Sequence, residues 1–173
     1  MKKLGIISTL FFSVAFAQLR IGADVSRNVS MEASLAGMSF SESESIDGMG
    51  FTLGYEQMLL SLLGVGAEYT AGGEDGLNMV FAYGVAKIPV GLPTFRGIIR
   101  AGYSKPLEDG MEAGLAYGGG LRFKPPVFPL GVELLYTIHD LKSEEMDEGD
   151  DLGLGIEMST KYSMVNLSLT YSF

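Results

Sequence analysis

The sequence predicts an eight-stranded antiparallel up-and-down transmembrane β-barrel, and three observations predict it. The chain begins like an exported protein. It is 47% hydrophobic, yet nothing after Phe16 is an apolar run long enough for a membrane helix. Its apolar residues instead alternate with small or polar ones in eight segments of about ten residues, the weak period-two signal of a membrane barrel.

The export signal comes first. Met1, Lys2 and Lys3 give a positive start, Leu4 to Phe16 is apolar, and Ala15-Phe16-Ala17 sets small residues at a cleavage site. Thirteen apolar residues fall short of the roughly 20 needed for a spanning helix. Residues 1–17 are therefore expected to be a cleaved signal peptide, and residues 18–173 one barrel domain. The chain has no cysteine, so an exported domain of this size must be closed by something other than disulfides.

The first strand alternates Leu19, Ile21, Ala23 and Val25 with Arg20, Gly22, Asp24 and Ser26. The second offers the apolar face Met49, Phe51, Leu53, Tyr55; the third Leu63, Val65, Ala67, Tyr69; the fourth Met79, Phe81, Tyr83, Val85. The fifth offers Phe95 to Tyr103 at odd positions, the sixth Leu115 to Phe123, the seventh Leu130 to Ile138, and the eighth Val165 to Phe173. Opposite faces are rich in Gly, Ala, Ser and Thr with a few charges, although Val80, Ile88, Ile98, Leu135 and Met164 interrupt the pattern. Gly118-Gly119-Gly120 sits in mid-strand without the helix or Lys of a phosphate loop, and serves as bulk-free barrel wall.

Size decides which face is inside. Eight strands enclose a space just wide enough for side chains, which suits the small face and would be crowded by Leu, Phe and Tyr. The large apolar face is therefore expected to meet lipid. Short turns at Gln57 to Ser61, Pro89 to Pro93 and Lys124 to Pro129 mark the periplasmic end, and the longer acidic connections mark the outside. Aromatic girdles follow, with Tyr55, Phe95, Phe123, Tyr171 and Phe173 at the inner rim and Tyr69, Phe81 and Tyr103 at the outer one.

With Ala15-Phe16-Ala17 at one end and Val165-Leu167-Leu169-Tyr171-Phe173 at the other, the mature chain resembles the OmpA-type and OmpX/Ail-like outer-membrane β-barrel families. The resemblance implies that Leu169, Tyr171 and Phe173 form the C-terminal signal read by the barrel-assembly machinery. It rests on architecture and terminal aromatics, so it implies a barrel and no particular activity.

Eight charged residues fall on the inward face: Arg20, Arg96, Arg100 and Arg122 against Asp24, Glu56, Glu68 and Glu133. They are expected to form ion networks that plug the lumen, Arg suiting such sites because its fork satisfies two carboxylates. The lone His139 is followed by Asp140 and Leu141 and faces inward; without a neighbouring Ser it does not make a lipid A-modifying enzyme, and no enzyme activity is expected. Seventeen of the 21 acids lie in outer loops or strand tips, with Arg27, Lys105, Lys142 and Lys161 the bases there. That excess, densest at Glu144 to Asp151, excludes nucleic acid as a partner. The spacing does not match an EF-hand, and neither metal nor cofactor is expected.

These features together predict an integral outer-membrane barrel with a structural, surface-interaction or adhesion role; a small porin-like channel or a lipid A-modifying enzyme are the alternatives. Outer-membrane lipid and lipopolysaccharide, the assembly machinery and an extracellular protein bound through the acidic loops are the expected partners of a monomer. Alternation also continues past the membrane, through Val29, Met31, Ala33 and Leu35 and through Leu152 to Met158. The first and last strands are therefore expected to project as a paired ribbon, with a β-bulge where parity switches near Ser159 to Tyr162.

Overall fold

A computed structural model describes residues 17–35, 38–73, 76–108, 110–143 and 157–173. Among them are nine strands: β1 (Ala17–Leu35), β2 (Met38–Ser45), β3 (Gly50–Met58), β4 (Leu63–Ala71), β5 (Met79–Val90), β6 (Leu92–Pro106), β7 (Met111–Phe123), β8 (Leu130–Ser143) and β9 (Glu157–Ser172). Eight of them close a barrel: each strand from β3 to β9 pairs antiparallel with the next, and β1 pairs with β3 on one side and β9 on the other. Closure satisfies the backbone within the sheet, as a bilayer demands.

The stagger of the barrel can be read from its register. From Val29 on β1 the pairs run through Tyr162, His139, Ala116, Gly102, Tyr83, Gly66 and Glu56, and return to β1 at Gln18, eleven residues lower. A stagger of that size requires strongly tilted strands. At one end the connections are short, spanning 59–62, 91 and 124–129. The tightest turns at Gly91, whose φ of 67° lies in the left-handed region that glycine enters without cost.

β2 stands outside the closed ring. The outer segment of β1, Asn28–Leu35, pairs with β2, while its inner segment, Ala17–Asp24, pairs with β3. β2 and β3 thus act as one strand interrupted at Ile46–Met49. The interruption faces a β-bulge in β1: register against β9 shifts between Asp24 and Ser26, leaving Val25 as the extra residue. The bulge expected near Ser159 to Tyr162 is therefore in β1 instead, and β9 pairs without a shift of its own against β8. Above it, Asn28–Ser34 ladder with Glu157–Ser163; Thr160–Ser163 still pair with β8 in the barrel wall, and past them β2, β1 and β9 continue as a three-stranded sheet. Residues 152–156 lie outside the described residues.

Alternation sets the two surfaces of the wall. Leu19, Ile21, Phe51, Leu53, Tyr69, Ile99, Tyr117, Leu134 and Leu169 point outward and are exposed, while Arg20, Glu56, Thr70, Arg100, Glu133 and Thr170 point inward and are buried. β5 departs from expectation. Its Met79, Phe81, Tyr83 and Val85 face the lumen, and Val80, Ala82, Gly84, Ala86 and Ile88 face outward. Phe81 is thus core rather than outer girdle. The reason is local volume: β5 lies against Gly64 and Gly66 on β4 and Gly102 on β6, where the wall has no side chains, and its large residues fill that space. Phe81, Tyr83, Val85, Ile98 and Leu135 pack there as one cluster. Met79, Leu141, Tyr162 and Met164 form a second one.

Candidate functional site: the charged lumen and the outer sheet

Inward-facing positions on seven strands bring seven charged side chains into one connected network. Arg20 on β1 contacts Glu68 on β4 and lies 3.7 Å from both Glu56 on β3 and Glu133 on β8. Glu68 also accepts from Arg100 at 2.7 Å, and the other arm of Arg100 donates to Thr137 Oγ1 at 2.6 Å. Lys87 Nζ contacts Glu56, donates to Gln18 Oε1 at 2.8 Å and reaches Glu133 at 3.5 Å. Gln18 in turn donates to Glu133 Oε1 at 2.9 Å. Arg122 Nε sits 3.5 Å from the same carboxylate oxygen.

The packing is as aromatic as it is ionic. Tyr83 donates its hydroxyl to Glu56 at 3.0 Å, and the Arg100 guanidinium lies 4.9 Å from the Tyr83 ring centroid and 5.5 Å from that of Phe81. Buried charges persist only when paired and hydrogen-bonded, and here every carboxylate of the network has at least two cationic neighbours.

The structure distributes the other charged candidates differently. Asp24 stays outside the ion network: it accepts from Asn166 Nδ2 at 2.7 Å, and the same amide reaches Thr52 Oγ1 at 3.1 Å. Arg96 faces the lumen at the short-turn end, half-buried, and makes no ion pair among the described residues. Lys87 joins the network without having been expected there, because it belongs to the inverted face of β5. Its phase is the available signal, since 79, 81, 83, 85 and 87 share one face and only 87 carries a charge.

Arg27, expected among the bases of the outer loops, is turned inward by the bulge at Val25 to 2% exposure. There it donates to the carbonyl of Gly72 and, at 2.6 Å, to that of Asp47, tying two outer connections to β1. His139 is fully buried, with Phe81 at 5.4 Å and Tyr162 at 6.4 Å between ring centroids.

At the outer sheet, β2 exposes Glu42 and Glu44, and Ser43 meets Ser30 of β1 through hydroxyls 2.8 Å apart. Lys161 of β9 donates to Glu32 of β1 at 2.7 Å, which holds its ammonium above the ordinary lysine range. The acidic run Glu144 to Asp151 and residues 1–16 of the expected signal peptide lie outside the described residues. At the other end of β9, Leu169, Tyr171 and Phe173 point outward, the rings of the last two meeting edge to face at 5.0 Å. The amide of Phe173 donates to Ala17 O at 3.0 Å, fastening the chain end to β1.

No family model matches the chain, and no curated protein sequence does. Solved structures do. The N-terminal β-barrel domain of Pseudomonas aeruginosa OprF superposes with a TM-score of 0.52 at 9% identity, covering 90% of this chain and 97% of that one. The fold is that of a small outer-membrane β-barrel. The de novo designed TMB2.3 superposes on the outer-membrane barrel with a TM-score of 0.50 at 14% identity, covering 92% and 94%. Neisserial surface protein A gives 0.49 at 13% identity over 90% and 97%. Like any such barrel, this one turns an apolar belt to lipid, and the belt here is free of charge from Leu19 and Tyr55 up to Phe51 and Tyr103.

Proposed function

We propose that this barrel is a surface-interaction protein of the outer membrane, acting through the three-stranded sheet β2–β1–β9 while its lumen is plugged. The free edge of β2 carries the proposal. β1 pairs with it on one side, no strand among the described residues pairs with its other side, and its exposed Glu42 and Glu44 give that edge a negative charge. An open edge is a template for strand addition, and its charge selects a basic extended segment of an extracellular protein. The short-turn end is then periplasmic. Leu169, Tyr171 and Phe173, displayed outward on the last strand, are the residues for the assembly machinery to read.

The plug reading rests on the lumen contents: Arg20, Arg100, Lys87, Glu56, Ile98 and Leu135, all below 3% exposed, cross the section that an eight-stranded barrel encloses. A conducting channel would need that section open. An enzyme acting on lipid would need an accessible base, whereas His139 is sealed inside the wall with aromatic neighbours.

Cells displaying the wild-type chain and the double charge reversal Glu42→Lys/Glu44→Lys would be compared for adhesion to immobilised host-matrix proteins. The reversal should abolish adhesion while surface expression stays constant. Equal adhesion by both would remove β2 as the contact. Planar-bilayer recordings of the same protein should show no steady conductance.

A further inference from the structure

The short-turn end of the lumen holds an arrangement that the plug does not explain. Arg96 on β6 and Arg122 on β7 are direct partners in the ladder, both facing inward. Like charges placed opposite each other across a sheet repel. Just past the end of β7 and two residues beyond Arg122 comes Lys124, whose backbone amide donates to Thr94 O at 2.8 Å, so that it continues the row of Arg122 toward the mouth.

Among the described residues, the adjoining elements offer these cations a single carboxylate within ion-pair distance. On β8, Glu133 is the carboxylate nearest Arg122, but Gln18, Lys87 and Arg20 already share it. The next inward position of β8 is Gly131, where a Cβ would lie 3.1 Å from that of Lys124. On β9, Arg122 finds only neutral hydroxyls, Ser172 Oγ at 2.9 Å and Thr170 Oγ1 at 3.4 Å, and its Nε has no hydrogen-bond partner. β5 contributes Lys87, a further cation. Partial burial, with Arg122, Arg96 and Lys87 nearby, holds the Lys124 ammonium below the ordinary lysine range. Three cationic residues thus line the mouth, and only Arg122 among them contacts the shared carboxylate and the two hydroxyls.

We infer that the periplasmic mouth of the barrel is an oxyanion site, in which Arg96, Arg122 and Lys124 bind a phosphate-type group. Guanidinium forks match phosphate oxygens bidentately, and an anion bridging Arg96 and Arg122 replaces their repulsion with charge-assisted hydrogen bonds. The same chemistry serves a free periplasmic phosphate or the headgroup of an inner-leaflet phospholipid.

Arg96→Gln is the informative variant, because Arg96 makes no ion pair among the described residues and its loss should leave the barrel folded. In zwitterionic detergent, sodium phosphate is titrated against sodium chloride at matched ionic strength, reading the thermal midpoint and the Nε–H resonances of Arg96 and Arg122. In a second arm, the midpoint is compared in nanodiscs of phosphatidylcholine with and without phosphatidylglycerol, in phosphate-free buffer. A saturable rise in the midpoint with phosphate, with at least about tenfold weaker apparent affinity in Arg96→Gln, identifies a free anion. An Arg96-dependent rise only with phosphatidylglycerol identifies the headgroup. If wild type and variant respond alike in both arms, or phosphate acts no differently from chloride and phosphatidylglycerol no differently from phosphatidylcholine, there is no such site.

Discussion

Gly66 lies directly opposite Tyr83 across the β4–β5 ladder, and a Cβ at position 66 would stand 2.7 Å from the Tyr83 ring. The missing side chain of one strand is the seat of the aromatic of the next. Gly66→Leu should therefore destabilise the barrel by about 1–3 kcal/mol, the usual cost of overpacking. Gly84→Ala, whose new methyl would meet nothing closer than Ala101 O at 3.8 Å, should be close to neutral. Urea unfolding in lipid or detergent measures both. The reverse ranking would mean that the aromatics of β5 point to lipid.

Glu133 is shared by Gln18, Lys87, Arg20 and Arg122, so its removal strands several buried donors at once. Glu133→Ala is expected to cost about 3–5 kcal/mol, as stripping one side of a buried pair does. Adding Lys87→Met to that variant should recover some of the loss, since it removes one of the stranded charges. A double mutant no more stable than the single one would show that Lys87 is not held by Glu133.

Arg27 offers a test of the bulge in β1. Its guanidinium holds the carbonyls of Asp47 and Gly72, so Arg27→Ala should accelerate amide exchange at 46–49 and 72–73 while leaving the exchange of β6 and β7 unchanged. Uniform acceleration across the barrel would instead place Arg27 in the global core.

The Lys161–Glu32 bridge gives a pH signature. Because the folded-state value of Lys161 is raised, its contribution is fully present below the ordinary lysine value of about 10.4 and is lost as pH rises through the higher folded value. NMR titration of the Lys161 side chain should show that upward displacement. It should vanish in Glu32→Gln.

Most of the wall is legible because one rule governs it: outside β5, the large apolar residues that alternate along the strands from β3 to β9 face lipid, at even positions on β8 and odd ones elsewhere, and the set rich in small residues between them faces inward. β5 escapes that rule because both of its faces are uncharged up to Lys87, so alternation shows two sets without saying which is inside. Only the glycines of β4 and β6 decide it, and their pairing is a matter of register, which the sequence of β5 alone does not contain. The same limit applies at the site. Arg20, Glu56, Glu68, Arg100, Arg122 and Glu133 can be placed on the inner face from their own strands. Lys87 and Arg27 cannot, one lying on the inverted strand and the other beyond a single inserted residue. Asp24 and Arg96 do turn inward, but which charges touch depends on the stagger between strands, and that is fixed only on closure.

β1 and β9 pass from the barrel into the outer sheet without a break, joined at sixteen paired positions from Gln18–Ser172 to Ser34–Glu157. If β2 holds a ligand as proposed, a pull along the strands would be transmitted along their axes. Strands loaded lengthwise resist in shear, with many rungs of the ladder sharing the tension, whereas strands pulled sideways unzip rung by rung. The membrane-embedded half of that ladder is the anchor. A cell tethered this way would bear drag from flow through its β-sheet backbone rather than through a hinge.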